Sequence, residues 1–466
     1  MQLRPLGTII VILYVFTVAA CGKSKPIIPP NTEPESPTFI TPDPAQYGTP
    51  YNTVPTSNNA VIYQVNMRCF SQQGNLQGVL ARLDSIKALG INVIYLMPIY
   101  PVGTVRAFNS PYCIKDYKSV GTEFGSLNDL RAITDAAHSK GMAVILDWVA
   151  NHTSWDQPWL VNRSWYEQNA AGEIIQPPNT TYTDVAQLNF TSTAMKTAMI
   201  NALKYWVYAA NIDGYRFDYA DAISISFLQQ ATNELRSIPN RTLFLFAEGG
   251  NNNLFNCTFN VKFGFGYYDN LKKTFANTTT VTALEGISSS EYIGANSTQK
   301  VVRYITNHDV HGSEGTPEQI FGNTKAATAA FVLAAYYNGV PMVYNGQEVA
   351  QATAITFPFT SVKINWNTNP LITAEYKQLI QLYNTNEVIR NGTITSYSNA
   401  RVSAYTKNIG LQRMLVLVNS SNATQSINLP TNLSNALWND AFINQNYTIN
   451  ATTTLQPYEY KVLRGN

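Results

Sequence analysis

The chain has 466 residues, and 45% of them are hydrophobic, enough for a large buried core. Length alone predicts roughly three domains, although α/β barrels often exceed that rule. Charged residues make up only 13% and the formal net charge is +2, which excludes the strongly basic surface of a nucleic-acid-binding protein. Aromatic residues make up 12%, a content typical both of an aromatic-rich core and of surfaces that stack on sugar rings.

The N-terminus, residues 1–20, has the pattern of an export signal. A basic residue precedes the apolar run 9–20, which is too short for a stable membrane span. The run ends in Val-Ala-Ala-Cys21, which resembles a bacterial lipobox, in which the cysteine becomes the lipidated first residue; ordinary cleavage after Ala20 is the alternative. Residues 21–57 are rich in Pro, Ser, Thr and Asn and predict a flexible tether. We expect an exported protein, lipid-anchored at Cys21 to the periplasmic or cell-surface face of a bacterial membrane.

Three further cysteines follow: Cys69, Cys113 and Cys257. An odd number allows at most one internal disulfide, and the spacing does not say which pair would form it. No Cys-x-x-Cys or His-rich spacing is present, so a zinc site is not expected.

Residues 58–390 alternate short apolar runs with helical stretches. The predicted strands are 60–66, 91–97, 142–148, 212–218, 242–248, a weaker element at 261–265, 301–306 and 340–344. The predicted helices are 76–89, 127–140, 195–210, 222–237 and 324–338. Strands alternating with helices predict parallel βα units, and about eight such units fit a closed (β/α)8 barrel with its active site at the carboxyl ends of the strands.

Two segments break this alternation. Residues 149–190, after the third strand, form a polar and aromatic excursion that predicts a short inserted domain. From 391 to 466, short strands are separated by Asn, Ser, Thr and Pro turns, which predicts a C-terminal antiparallel β-sandwich domain. We therefore expect an α/β fold: the barrel, its excursion and a smaller β domain.

The fourth predicted strand ends in Arg216-Phe-Asp218. A period of two residues places the side chains of Arg216 and Asp218 on the same side of the strand. An arginine beside an aspartate favours the ionised carboxylate, which is then available as a nucleophile at neutral pH. A surface salt bridge would give the same local pattern.

Polar residues also follow other predicted strands. Tyr112 lies in the loop after strand two, and Asp147 lies at the end of strand three with Asn151 and His152 just beyond it. Glu248 ends strand five, and Asn307, His308 and Asp309 follow strand seven. In a barrel these ends converge on one mouth. Each residue alone could be a helix cap, a satisfied core histidine or a solvated pair. Several carboxylates, two histidines and an arginine at the same mouth would be costly to bury without a catalytic task.

In these motifs the chain resembles the α-amylase family, glycoside hydrolase family 13, over nearly all of residues 60–466. The matching segments are Asp147-x-x-x-Asn151-His152, Gly214-x-Arg216-x-Asp218, the strand end at Glu248 and Asn307-His308-Asp309, with supporting matches at 110–117, 120–125 and 346–348. Their order and spacing make the resemblance specific.

The resemblance implies a hydrolase that cleaves α-glucosidic bonds, mainly α-1,4, in starch, glycogen or malto-oligosaccharides with retention of configuration. Asp218 would be the nucleophile that forms a covalent glycosyl-enzyme ester. Glu248 would be the acid that protonates the leaving oxygen and then the base that activates water. Asp309 would bind sugar hydroxyls and stabilise the oxocarbenium-like transition state.

The resemblance also implies a set of substrate-binding residues. His152 and His308 would hydrogen-bond hydroxyls of the sugar being cleaved, and Tyr112 would stack on its ring. Arg216 would keep the nucleophile ionised, and Asp147 would position Arg216.

The chain departs from the family pattern in two places. A Lys-His pair that often follows the nucleophile, and whose Lys contacts the leaving-group sugar, is replaced by Asp221 and Ala222. A structural Ca²⁺ of the family would take Asn151, a carboxylate and the backbone carbonyl of residue 222 as ligands, but the carboxylate position holds neutral Gln187. Because the affinity for Ca²⁺ falls with ligand charge, we expect this site to be empty or weak and no cofactor to be required. Asp184 could compensate only if its loop were rearranged.

Two alternatives remain at this point. A transglycosylase of the same family would pass the glycosyl ester to a sugar instead of water. A non-catalytic glucan-binding lipoprotein would use a degenerate barrel, but the presence of both Asp218 and Glu248 argues against it.

Overall fold

The protein is described by a computed structural model that covers residues 42–434 and 436–465. The predicted export signal, Cys21 and most of the predicted tether lie outside the described residues.

The first part of the chain forms a closed barrel of eight parallel strands. The first ten strands are β1 Ile62–Val65, β2 Val93–Leu96, β3 Ala143–Trp148, β4 His152–Ser154, β5 Val185–Gln187, β6 Gly214–Phe217, β7 Phe244–Ala247, β8 Val261–Phe263, β9 Lys300–Arg303 and β10 Val340–Tyr344. All but β4 and β5 belong to the barrel, in the order β1-β10-β9-β8-β7-β6-β3-β2. Their side chains are almost entirely buried, as expected for parallel strands covered on both faces. The predicted (β/α)8 barrel is confirmed.

Helices surround the barrel. They are α1 Met67–Phe70, α2 Leu76–Leu80, α3 Leu83–Leu89, α4 Leu127–Ser139, α5 Thr193–Ala209, α6 Ile225–Arg236, α7 Phe265–Phe275, α8 Val281–Glu291, α9 His308–Ser313, α10 Pro317–Phe321, α11 Thr324–Tyr337, α12 Pro370–Thr385 and α13 Glu387–Asn391. The helix expected at 76–89 is two helices. They separate at Arg82, whose guanidinium lies over the ring of Trp366 at 4.2 Å. Gly90, with φ of 102°, ends α3 in the left-handed region, which a glycine adopts without strain.

The excursion after β3 is short. Its strands β4 and β5 pair antiparallel, with His152 opposite Gln187, so the two ends of the excursion are held together beside the barrel mouth. Bridges between Tyr166 and Leu188 and between Gln168 and Ile174 close the remaining loops.

A separate antiparallel β domain follows the barrel. Its strands are β11 Thr393–Ser396, β12 Val402–Ile409, β13 Gln412–Asn419, β14 Gln425–Asn428, β15 Leu437–Asp440, β16 Asn446–Thr448, β17 Thr452–Leu455 and β18 Tyr460–Gly465. A six-stranded sheet, β11-β12-β13-β18-β15-β16, and the pair β14-β17 enclose a core that includes Leu415, Ile427 and Trp438. The predicted C-terminal antiparallel domain is confirmed.

Residues 43–51 lie against the barrel, although they fall inside the predicted tether. The backbone N–H of Tyr47 donates to the carbonyl of Tyr208 at 2.8 Å, and Asn211 Nδ2 donates to the carbonyl of Thr49 at 2.9 Å. A flexible tether over all of 21–57 therefore does not describe the last part of that segment.

No helix in the described part of the chain is long and apolar enough to cross a membrane. The three described cysteines, Cys69, Cys113 and Cys257, are buried free thiols, so the disulfide that their number allows is not formed.

Candidate active site

The barrel register brings the predicted polar residues to one mouth. Asp147 is the Cα partner of Arg216 across β3 and β6. Phe217 is the partner of Ala247 across β6 and β7, so Asp218 and Glu248, the next residues, follow adjacent strand ends. The register of these parallel strands therefore determines which of the predicted side chains lie next to each other.

Arg216 is fully buried and connects three carboxylates. Its Nη1 donates to Asp147 Oδ1 at 2.7 Å and to Asp218 Oδ1 at 2.8 Å, and its Nη2 donates to Glu248 Oε1. Asp147 is fully buried, whereas the side chains of Asp218 and Glu248 each retain 13% exposure toward the mouth. One positive charge thus faces three groups that can each carry a negative charge.

This balance sets the protonation of Asp218. Burial raises the pKa of Asp218 well above its ordinary value, and the charges of Glu248 and Asp147 raise it further, while Arg216 acts in the opposite direction. The pKa of Asp147 is also raised by burial, against the effect of Arg216. Arg216 therefore opposes the rise in the pKa of Asp218 but does not cancel it, because the same guanidinium is shared with two other carboxylates. The expectation that Arg216 alone holds Asp218 ionised is not met.

A chain of hydrogen bonds continues from Asp147 to His308. Tyr112 Oη donates to Asp147 Oδ2 at 3.0 Å and lies 2.7 Å from His308 Nε2, and Gln64 Nε2 donates to His308 Nδ1 at 2.8 Å. Since Gln64 supplies a donor, Nδ1 accepts and Nε2 carries the proton, which it donates to Tyr112. Tyr95 Oη adds a further donor to Asp147 at 2.6 Å.

Both site histidines are neutral at physiological pH. Burial lowers the pKa of His152 to about 4, and burial together with the charge of Arg216 lowers the pKa of His308 to about 4. The rings of His308 and Tyr112 are nearly parallel, with centroids 5.3 Å apart. Neutral imidazoles can donate and accept hydrogen bonds with sugar hydroxyls without adding charge.

Asp309 lies at the edge of the cluster. It lies in the first turn of α9, where its backbone N–H donates to the side chain of the capping residue Asn307 at 2.9 Å. Its own side chain is 58% exposed, and its Oδ1 lies 3.3 Å from His308 Nε2. It does not contact Arg216, so it is the carboxylate of this set that is most free to meet a ligand.

These residues border a cavity of about 680 Å³. Six of the predicted site residues line it: Tyr112, His152, Asp218, Glu248, His308 and Asp309. Asp147 and Arg216 lie behind it, where they contact the lining side chains. No lysine or arginine is among the described residues that line the cavity.

Some contributors escaped the sequence-based prediction. Gln64 and Tyr95 lie inside the otherwise apolar strands β1 and β2. Their polar side-chain groups within these apolar runs were the one sequence feature that could have indicated a role in the site. Tyr182, Tyr219, Phe108 and Phe357 also line the cavity, but they lie in loops, whose course the residue pattern did not predict.

The residues expected around a Ca²⁺ ion instead bond to one another. Gln187 Nε2 donates to the Asn151 carbonyl at 3.0 Å, to Asn151 Oδ1 at 3.2 Å and to the Leu188 carbonyl at 3.0 Å. Two of these acceptors are backbone carbonyls, which only accept, so the amide –NH₂ must face them. An amide donor therefore points at the oxygens that a cation would need, and these residues do not fit a Ca²⁺ ion.

Asp184, which could have compensated, lines the cavity instead. Among the described residues, no group of three or more His, Cys, Asp or Glu side chains is arranged to hold a metal ion.

Comparisons with known proteins agree with this geometry. The family model described as "Alpha amylase, catalytic domain" matches residues 43–175. The chain is 25% identical over 404 residues to Alpha-amylase 2 of Dictyoglomus thermophilum, covering 80% of this chain and 68% of that protein. It is 25% identical over 431 residues to the maltogenic alpha-amylase of Bacillus acidopullulyticus, covering 84% and 70%.

Solved structures give the same fold. The crystal structure of an alpha-amylase from Lactobacillus plantarum superposes with a TM-score of 0.78 at 22% identity, covering 88% of this chain and 99% of that one. At 22% identity, this comparison establishes that the two proteins share a fold and nothing beyond it.

Proposed function

Because the chain belongs to the α-amylase family of glycoside hydrolases and transglycosylases, we propose that it hydrolyses α-glucosidic bonds, mainly α-1,4, in starch, glycogen or malto-oligosaccharides with retention of configuration. The observation that carries the proposal is the contact of Asp218 and Glu248 with one guanidinium, that of Arg216, at the edge of the cavity. Retaining enzymes need two carboxyl groups only about 5–5.5 Å apart, and a shared arginine keeps two such groups close.

In the proposed first step, an oxygen of Asp218 attacks the anomeric carbon and forms a glycosyl ester. The glycosidic C–O bond breaks, and its oxygen takes the proton of Glu248. In the second step, water gives a proton to Glu248 and its oxygen to the anomeric carbon, and Asp218 leaves as a carboxylate.

Substrate contacts follow from the cavity lining. Asp309, the exposed carboxylate, would accept hydrogen bonds from sugar hydroxyls and stabilise positive charge on the ring. His152 and His308 would bond hydroxyls as neutral groups, and Tyr112 would present its ring. The absence of lysine and arginine among the described lining residues favours an uncharged sugar over a phosphorylated or acidic one.

The roles of Asp218 and Glu248 are assigned from the motif match, since Arg216 contacts both. Asp218→Ala and Glu248→Ala test the assignment with α-maltosyl fluoride, which needs no acid for the first step. Azide needs no general base, so with Glu248→Ala it should attack the ester and give the α-azide. Asp218→Ala forms no ester, and any azide product it makes should be the β-anomer.

Asp84→Ala, an exposed carboxylate on α3, is the matched control and should keep the wild-type rate. An α-azide from Asp218→Ala and a β-azide from Glu248→Ala would show that the two roles are exchanged. Wild-type protein that releases neither sugar from starch nor fluoride from the fluoride substrate would refute the proposed function.

A further inference from the structure

Two tyrosines in the cavity wall are unusually exposed. Tyr182, near the end of the excursion, is 48% exposed, and Tyr219, the residue after Asp218, is 37% exposed. Their rings meet edge to face, with centroids 6.5 Å apart and planes at 78°, and both line the cavity. Aromatic faces left open to water in a concave site mark a surface that a ligand can cover.

Tyr219 adopts a conformation that aromatic residues rarely take. Its φ is 49°, in the left-handed region, which costs roughly 1–2 kcal/mol for a residue with a Cβ. In this conformation its N–H donates to Glu248 Oε2 at 2.7 Å, and the next N–H, of Ala220, donates to the Glu248 carbonyl at 2.8 Å. Strain of this kind at a candidate site is a physical reason to look for a function.

The position of this turn identifies which part of a substrate it would meet. Under the proposed function, Glu248 protonates the leaving oxygen, so the sugar attached to that oxygen lies beside Glu248 and its neighbour Tyr219. Tyr112 and His308, which bond each other, follow β2 and β9, which lie two and three strands away from β6 around the barrel. Tyr219 bonds Glu248, whereas Tyr112 bonds Asp147, so the two groups contact different carboxylates of the cluster.

Tyr182 lines the cavity together with Tyr219 and Glu248. Burial, the neighbouring Tyr219, and the charges of Asp218, Asp309 and Glu248 together raise the pKa of Tyr182. Tyr182 lines the same cavity as Glu248 and also meets Tyr219 edge to face, so its ring borders the place where the glycosidic bond would be broken.

No cation is available on this side among the described lining residues. Asp221 lines the cavity, and its Oδ2 and Oδ1 accept hydrogen bonds from the N–H groups of Gly250 and Asn251 at 2.7 and 3.1 Å. Asp221 thus holds the loop after Glu248. The surface left for the leaving sugar is aromatic.

We propose that Tyr219 and Tyr182 form an aromatic subsite that binds the leaving-group sugar and selects an uncharged pyranose there. The proposal rests on the proposed function. The same subsite would hold a sugar acceptor: its hydroxyl oxygen bonds to the anomeric carbon, its proton passes to Glu248, and Asp218 leaves as a carboxylate. The two tyrosines therefore also bias the enzyme toward transfer to sugars.

The test compares two substrates that share a maltosyl unit on the other side of the bond. Maltotetraose cut at its central bond places a sugar in the subsite, whereas α-maltosyl fluoride places only a fluoride ion near it. In Tyr182→Ala and Tyr219→Asn, kcat/KM for maltotetraose should fall about 10-fold more than kcat/KM for the fluoride. Asn tolerates positive φ, so Tyr219→Asn keeps the turn and removes the ring.

Two further variants serve as matched controls. Tyr182→Phe keeps the ring and should retain most of the preference for maltotetraose. Phe357→Ala removes a ring that is 52% exposed, in the loop after β10, the strand opposite β6 in the barrel. This variant should change kcat/KM for the two substrates by the same factor. With added maltose, the ratio of transfer to hydrolysis should fall about 10-fold in Tyr219→Asn.

Equal losses on the two substrates in folded Tyr182→Ala and Tyr219→Asn, checked by thermal unfolding, would overturn the subsite while leaving the proposed function intact. A wild-type enzyme that cleaves neither substrate would overturn the proposed function itself. If Tyr219→Asn does not fold, Tyr182→Ala alone tests the subsite. Tyr182 has no positive φ, so its replacement by alanine does not disturb a strained turn.

Discussion

At the scale of single residues, Gln187 decides whether the excursion needs a metal. Its –NH₂ group bonds three oxygens of Asn151 and Leu188, so we predict that wild-type stability does not depend on calcium. The melting temperature should be the same in EDTA and in millimolar Ca²⁺. A specific site at 100 times its Kd would add about 2.7 kcal/mol, which thermal unfolding would detect.

Gln187→Glu is the matched variant for this prediction. It turns a donor into a carboxylate that faces two backbone carbonyls, so it should destabilise the protein by about 1–3 kcal/mol in EDTA. Ca²⁺ should restore part of that loss, because a charged ligand now accompanies Asn151. A wild-type melting temperature that falls in EDTA and returns with Ca²⁺ would contradict the prediction.

The part of the candidate site that lies at the ends of the barrel strands could be predicted from the sequence. Asp218 and Glu248 end strands whose apolar runs are clear, so the parallel register alone brings them together. The protonation of Asp218 was not predictable, because it depends on how many carboxylates share Arg216 and on their burial. Tyr182 and Tyr219 escaped prediction because loop conformation, such as the positive φ of Tyr219, leaves no periodic signal.

At the scale of elements, Lys407 joins the C-terminal domain to the barrel. Buried on β12, its Nζ donates to the carbonyls of Tyr336 and Tyr337 at the end of α11, at 3.2 and 3.1 Å, and to Ile389 in α13. Lys407→Met would leave these carbonyls without their donor. We therefore expect a loss of about 3 kcal/mol in unfolding free energy, measured by urea denaturation.

The loss should depend on pH. Burial and the charge of Lys300 lower the pKa of Lys407 from its ordinary 10.5 to about 7. The unfolded chain therefore binds more protons between pH 7 and 10.5, and the contribution of Lys407 to stability rises with pH across that window. The difference between wild type and Lys407→Met should grow by about 3 kcal/mol from pH 6.5 to 9.5.

Lys377→Met, an exposed lysine on α12, is the control and should show no such growth. A constant difference for Lys407→Met across this pH range would contradict the prediction.

The helices show what sequence patterns can and cannot reveal. α4 was predicted from its sequence pattern, and its bounds match the prediction within one residue; the structure adds a capping box at Ser126. α7 and α12 were missed, although Tyr268, Leu271 and Phe275 in α7 have helical spacing. Gly266 in α7 and the lysines and other polar residues of both helices weaken the apolar face, so packing against the barrel, rather than local pattern, stabilises them.

At the scale of the whole molecule, the docked segment 43–51 lies at the end of the barrel opposite the active site. Its partners Tyr208 and Asn211 precede β6, and His138, whose ring stacks on Tyr51 at 4.4 Å, precedes β3. These positions are at the amino ends of the strands, whereas Asp218 and Glu248 are at the carboxyl ends. The described chain therefore begins on the face away from the cavity.

We predict that the mature protein is lipid-anchored at Cys21 and that its cavity remains open to polymers while it is anchored. Wild-type protein should be recovered with membranes and carry lipid by mass spectrometry, whereas Cys21→Ala should be released or remain unprocessed. Because residues 43–51 leave the barrel opposite the mouth, the ratio of kcat/KM for soluble starch to that for maltotetraose should be equal in anchored and released protein. Wild-type protein that is wholly soluble and lipid-free would disprove the anchor. A ratio several-fold lower in the anchored form would instead show that the membrane obstructs the mouth.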